Sequence, residues 1–249
     1  RGPLLFDLEE SEEKFHFNME IIKLIENILK KKNCLFLLIS PETLFKEYKY
    51  KIFFDNGFKL KNKNGWSSSR LFLRKNEGEI FKSLKAKWRN MLRKSLKSEL
   101  VIKCEDINKL TLNKLIKDYV DFKNKKGFNG ISSNLISKLI KNNSSNWKCN
   151  VYRSYKINKD ELQLTGMLVA VFHSKTATYL LAYSNNIGRF LNSNYLLLWQ
   201  SIIDAKKFGC HWYDMGGMSP NTPAGITHFK KGVNGEIYSN ISNFYKILL

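Results

Sequence analysis

Proline is scarce, with four in 249 residues, so few helices or strands are broken by force. Cysteine is as rare, and Cys34, Cys104, Cys149 and Cys210 lie far apart with no C-x-x-C pair. Adjacent Cys210-His211 is poor geometry for one metal ion, and His16, His173, His211 and His228 are scattered. No metal site and no cofactor is expected, and the cysteines read as reduced thiols of a cytosolic protein. An apolar run of transmembrane length is missing, as is a signal-like start: the chain opens Arg-Gly-Pro and reaches Glu9 early. Neither secretion nor insertion is expected. Arg1 is not an initiator, and a strand-like opening suggests upstream sequence.

Acidic residues are also short: 22 Asp and Glu face 42 Lys and Arg, a net charge of +20. Such an excess attracts phosphate-bearing partners or an anionic membrane surface, with binding that weakens in salt. Codon bias toward lysine and asparagine explains the same excess equally well. Arginine occurs only at Arg1, Arg70, Arg74, Arg89, Arg93, Arg153 and Arg189. Because bidentate phosphate contacts favour arginine, these positions are better site candidates than the lysines. The 43% hydrophobic content is enough for a full core in one large or two modest domains, and disorder is not expected.

Along the chain, residues 1–7 read as a strand, and Asn18 as the cap of a helix from Met19 to about Lys32. Cys34 to Ile39 reads as a buried strand, and Ser40-Pro41 as the cap of a second helix through about Phe54. Asn56-Gly57 and Asn64-Gly65 turn the chain into Phe58–Leu60 and Ser69–Arg74. Asn76-Glu77-Gly78 breaks this α/β alternation and is the expected domain boundary.

A basic helix is predicted from Glu79 to Ser98, with Ile80, Leu84, Trp88, Met91 and Leu92 on one face and Lys85, Arg89, Arg93 and Lys97 in line on the other. That line is either a solvated face or a rail for phosphates. Further strands are expected at Leu100–Cys104, Trp147–Tyr155, Gln163–His173 and Thr176–Tyr183, helices from Leu110 and Leu135, a loop over Asn185–Asn194, and a helix over Tyr195–Phe208.

The chain is organised around residues 209–232, GCHWYDMGGMSPNTPAGITHFKKG. This reads as a helix end, a short strand Cys210–Asp214, a glycine-proline turn, and a helix or strand start at Phe229-Lys230-Lys231. A carboxylate at a strand end followed by Gly216-Gly217 lets backbone approach a ligand closely. A plain strand, turn and solvated lysine pair fits the spacing too.

Ala205-Lys-Lys-Phe-Gly, Tyr213-Asp-Met-Gly-Gly and Gly225-Ile-Thr-His-Phe-Lys-Lys-Gly-Val-Asn-Gly resemble, in order, the A-K-x-x-G, Y-D-x-G-G and G-I-x-x-F-K motifs of the FemABX family. These are aminoacyl-tRNA-dependent peptidyltransferases that build peptidoglycan cross-bridges. Lys87-Trp-Arg-Asn-Met-Leu-Arg-Lys-Ser is similar to the family's K-x-R-x-x-I-x-K-A helix, and Arg1-Gly2-Pro3 to its R-G-P strand.

The resemblance implies an α/β fold of tandem GNAT-like (general N-acetyltransferase) domains. Residues 1–78 would be the C-terminal part of a first domain, to which 236–249 return, and 79–235 a complete second one. It implies an acyltransferase that moves an amino acid from aminoacyl-tRNA to an amine of a nucleotide- or lipid-linked muropeptide. Such an enzyme would be cytoplasmic or peripheral at the inner membrane face.

On this resemblance Lys230 stabilises the developing oxyanion, Phe229 walls the pocket, and Arg89 and Arg1 hold acceptor phosphates. Asp214 either orients or accepts a proton, or holds the Gly216-Gly217 turn through its N–H groups. Tyr183 either positions the acceptor peptide or is a core tyrosine.

Two other readings remain. The loop after Tyr183, Ser-Asn-Asn-Ile-Gly-Arg-Phe-Leu, has one glycine where coenzyme A loops carry Q/R-x-x-G-x-G/A, which counts against a thioester-dependent N-acyltransferase acting on an amino-sugar or envelope polymer. The charge alone would also suit a non-catalytic module for nucleic acid or anionic lipid.

Overall fold

A computed structural model of the chain describes residues 12–248 apart from 42–43, 45–47, 63–64, 106–108, 128–129, 142–143, 159–160, 219 and 221. The architecture is mixed α/β. The chain divides into two compact units, one of Arg1–Ser68, Gly217–Thr222 and Ile237–Leu249, the other of Ser69–Gly216 and Pro223–Glu236.

In the first unit, α1 (Glu12–Lys31) and α2 (Tyr48–Asp55) accompany a sheet in the order β1 (Phe36–Ile39), β10 (Phe244–Ile247), β2 (Lys59–Leu60). All pairs in it are antiparallel, so the C-terminal segment is the central strand. Phe53 and Phe244 stack at 4.2 Å within a core that includes Ile22, Ile39 and Phe58. Lys246 reaches Glu26 at 2.7 Å. Asn18 lies within α1 rather than at its N-cap, and is fully buried. The strand expected at 1–7 and part of the helix expected after Ser40-Pro41 lie outside the described residues.

The second unit is built on a seven-stranded sheet in the order β4-β5-β6-β7-β8-β3-β9. The sheet's strands are β3 (Ser67–Phe72, in the second unit from Ser69), β4 (Leu100–Glu105), β5 (Trp147–Asn158), β6 (Glu161–His173), β7 (Thr176–Ser184), β8 (Trp212–Asp214) and β9 (Glu236–Ser239, of which only Glu236 falls in the second unit). Arg70 to Phe72 pair antiparallel with Asp214 to Trp212, and by compactness these residues fall in the same unit as the sheet's centre. Asn76 is the N-cap of α3 (Glu77–Ser83), in a capping box with Glu79.

The helix expected over 79–98 is two helices. Leu84 and Lys85 are extended between α3 and α4 (Ala86–Leu96), so the amphipathic pattern runs through a break it does not reveal. One sheet face packs on α4 and α8 (Ser193–Lys207), with Trp88, Leu92, Leu197, Ile202 and Tyr213 in its core. The other packs on α5 (Lys109–Lys126) and α6 (Ser133–Lys141), through Leu115, Ile136, Met167 and Val169. Asn186–Phe190, expected as loop, is a short helix, α7, capped by the Asn185 side chain, which accepts from Gly188 N–H. α9 (Ala224–Lys231) precedes β9.

Candidate active site

β7 runs parallel to β8 only from Thr176 to Thr178, opposite Trp212 to Asp214, and then continues to Ser184 without it. At the point of divergence β8 ends on Asp214, whose Oδ1 accepts the Gly216 N–H at 2.7 Å. Gly216 has φ +67°, and a Cβ there would stand 2.7 Å from the Tyr179 carbonyl oxygen. Only glycine fits both that backbone and that approach.

Over this turn comes Lys230, on the last turn of α9. Only 7% of the residue is exposed, and its Nζ lies 5.2 Å from the centre of the Tyr179 ring. Burial brings its pKa down to about 8, and the Asp214 carboxylate opposes that shift. At neutral pH about nine-tenths of such a lysine is still ammonium. The site therefore places a cation in a dry setting over an aromatic face, where it acts on a developing negative charge more strongly than in water, and the nearby carboxylate helps to keep it protonated.

Phe229 is held from two sides. Trp88 Nε1–H donates to its carbonyl at 3.2 Å, and the Trp88 and Tyr195 rings lie 5.9 and 5.1 Å from the Phe229 ring. The Lys85 N–H donates to Gly232 O at 3.0 Å. Gly232 is needed for space, since a Cβ would meet Trp88 Cδ1 at 2.3 Å. The first turn of α4 thus fixes the end of α9 that carries Lys230.

Asp214, Gly216, Phe229 and Lys230 come together. Gly217 lies in the other unit, where a Cβ would strike the Trp66 ring at 2.3 Å, a packing reason for that glycine. The Arg89 guanidinium donates to the carbonyls of Lys82, at 2.6 Å, and Leu84, tying down the end of α3. Tyr183 stacks on Phe122 at 5.1 Å and lines a separate cavity of about 520 Å³ with Lys125, Asn185 and Arg189. Arg1 lies outside the described residues. Among the described residues no group of three or more His, Cys, Asp or Glu could hold a metal, and no helix is long and apolar enough to cross a membrane.

Tyr179 and Trp88 belong to the site and were not singled out from sequence. Strict alternation along β7 would put Tyr179 on the face of Leu181 and Tyr183. A bulge where the β6 register shifts between Val169 and Ala170 sends it to the opposite face, under Lys230. Trp88 was placed correctly on an apolar face, but its indole N–H bond to α9 has no sequence signal.

The parallel pair that opens beside the helix bearing Lys230 is the candidate active site, and comparison with known proteins gives the chain its family. The FemAB family model matches residues 111–248, more than half of the chain, and the protein belongs to that family. The motifs at Arg1 and Lys87 lie outside the matched span. No curated protein matches the sequence.

Among solved structures, one described as FemX superposes with a TM-score of 0.76 at 14% identity, covering 92% of this chain and 76% of that one. L-PGS from Bacillus licheniformis gives 0.58 at 12% identity, covering 92% and 73%. A tandem GNAT protein from the clavulanic acid biosynthesis pathway gives 0.57 at 6%, covering 97% and 72%. At these identities the structures are alike in fold.

Proposed function

We propose that the protein is an aminoacyltransferase in which an amine of a peptidoglycan precursor peptide attacks the ester carbonyl of an aminoacyl-tRNA. The observation that carries this reading is the buried Lys230, poised over Tyr179 and next to the Asp214–Gly216 turn. Membership of the FemAB family supports the class of donor and acceptor.

Attack by a neutral amine makes a tetrahedral centre whose oxygen takes up the carbonyl electron pair. The Lys230 ammonium meets that charge. The centre then collapses, the C–O bond to the ribose breaks, and the amine proton passes to the departing ribose oxygen. Orientation of the two reactants contributes much of the acceleration, about 7–11 kcal/mol in favourable cases. A single oxyanion donor contributes about 10²–10³ in rate.

The test is transfer of a labelled amino acid from charged tRNA to a uridine-diphosphate-linked or lipid-linked muropeptide, run beside acyl-coenzyme A donors. Transfer from tRNA that Lys230→Ala slows by about 10²–10³ is expected. Transfer from thioesters alone, or none with any aminoacyl group, would overturn the reading.

A further inference from the structure

α4 breaks a local rule. A helix start favours acidic residues, because its exposed N–H groups and macrodipole present positive charge. Yet the first turn of α4 has no acid, its N-cap is Lys85 without a side-chain bond to the backbone, and Lys87 follows at once. From Lys82 to Lys97 the basic residues are Lys82, Lys85, Lys87, Arg89, Arg93, Lys94 and Lys97, with no acid among them. Like charges three and four apart repel, so the helix is stabilised by its buried side, Trp88 and Leu92, in spite of its exposed one. Such a conflict between local preference and fold is expected where a surface has a task.

The two sides of the line have different duties. Arg89 is engaged with the end of α3, and Arg93 lies 5.2 Å over the Phe81 ring and bonds Asn90. Lys87, Lys94 and the C-cap residue Lys97 are exposed, lie in a stripe on one side of the helix within about 80° of one another, and make no ion pair with a described acid. The stripe is about 15 Å long, enough for several consecutive phosphates. Its N-terminal end is the turn hydrogen-bonded to α9, the helix of Lys230.

We infer that the exposed face of α4 is the docking track for the ribose-phosphate backbone of an RNA whose acyl end lies at Lys230. The occupant follows from charge and from continuity: a row of lysines complements a regular polyanion, and the row begins at the helix bearing the reactive cation. A bilayer fits the same face less well. Of the large apolar residues of α4, Trp88 and Leu92 are buried, Met91 is part-buried and only Leu96 is exposed, which leaves no broad apolar edge to enter a membrane. This inference rests on the reading of the donor as an RNA ester, and it concerns where that RNA is held.

The test measures binding of fluorescent uncharged tRNA by anisotropy across a series of salt concentrations, with the wild-type chain and the triple variant Lys87→Gln, Lys94→Gln, Lys97→Gln. The variant should stay within a few degrees of wild type in melting temperature, because the Lys94–Lys97 repulsion it relieves is offset by the loss of cations from the last turn, where the helix dipole favours them. It should bind tRNA at least about tenfold more weakly, and the slope of log K against log salt should fall by about two to three.

Binding and slope unchanged in the variant would overturn the inference. So would wild-type chain that binds phosphatidylglycerol vesicles through these lysines and tRNA without them. Binding of uncharged tRNA needs no transfer, so the two proposals separate. Lysine-dependent tRNA binding without aminoacyl transfer would leave the track standing and remove the proposed reaction. Transfer from tRNA with these lysines irrelevant would do the reverse.

Discussion

α9 and the first turn of α4 are hydrogen-bonded to each other, yet they use lysine in opposite ways. In α9, Lys230 has 7% of its surface exposed and a depressed pKa, while its neighbour Lys231 is exposed. In α4 the lysines stand in water. A desolvated ammonium costs stability and gains leverage on charge inside the site, whereas a hydrated row gains only long-range, salt-sensitive attraction. Composition counts both alike, so the +20 charge is a signal of mixed origin: on the two proposals above, one buried lysine serves chemistry and a surface row serves association.

The sharpest way to break this contrast is Lys230→Met, which keeps volume and removes the charge. Transfer should fall by about 10²–10³, while the melting temperature should rise by roughly a few degrees as a buried cation is removed. Loss of stability with transfer intact would make Lys230 a structural residue.

The pH dependence follows the same logic. Between about pH 8 and the ordinary lysine value of 10.5, the folded protein holds fewer protons at this site than the unfolded chain. Stability therefore carries a penalty below pH 8 that is relieved as pH rises through that window. Activity that needs the ammonium should decline above about pH 8. Lys230→Met should lose the rise in stability.

Gly216→Ala comes next in size. Its Cβ would lie 2.7 Å from the Tyr179 carbonyl at a φ of +67°. The cost should be about 1–3 kcal/mol, read by denaturant unfolding, and the ring beneath Lys230 should be displaced with it. A neutral effect would mean that the turn is slack and does not position the lysine.

Asp214 separates its two readings through a pair of variants. Asp214→Asn keeps an oxygen for the Gly216 N–H but removes the charge that supports the ammonium, so the alkaline limb of activity should move to lower pH with little change in stability. Asp214→Ala also loses the bond and should cost a further 1 kcal/mol or so. An unmoved limb in Asp214→Asn would leave the carboxylate a turn-holder only.

How much of this was legible depended on whether local pattern and tertiary packing agreed. The β5–β6–β7 meander and α8 were readable because apolar periodicity, turn residues and length all pointed the same way. The sequence marked Gly216 as a place for a ligand to approach, whereas the close approach there is of the Tyr179 carbonyl; Asp214, Phe229 and Lys230 came from motif order. The break at Leu84-Lys85 was not readable, since the apolar face continues across it. Nor was the placement of Tyr179, which depends on a single bulge. The burial of Lys230 is equally silent in sequence, because nothing local distinguishes it from Lys231.

The smallest effect tests the arginine of α4 whose guanidinium bonds the end of α3. Arg89 was expected to hold an acceptor phosphate, and its guanidinium donates to the Lys82 and Leu84 carbonyls. These are groups at the end of α3, where a cation completes both the hydrogen bonds and the dipole. Arg89→Ala should therefore lower stability by about 1 kcal/mol, or roughly 2–4 °C in melting temperature. Arg89→Lys should recover part of it through charge, though not the forked geometry. The KM for the acceptor should stay within about twofold, since the guanidinium is already engaged. A KM raised tenfold or more with melting unchanged would show that Arg89 swings outward to the acceptor, and the division of α4 into an inward brace and an outward lysine track would fail at this residue.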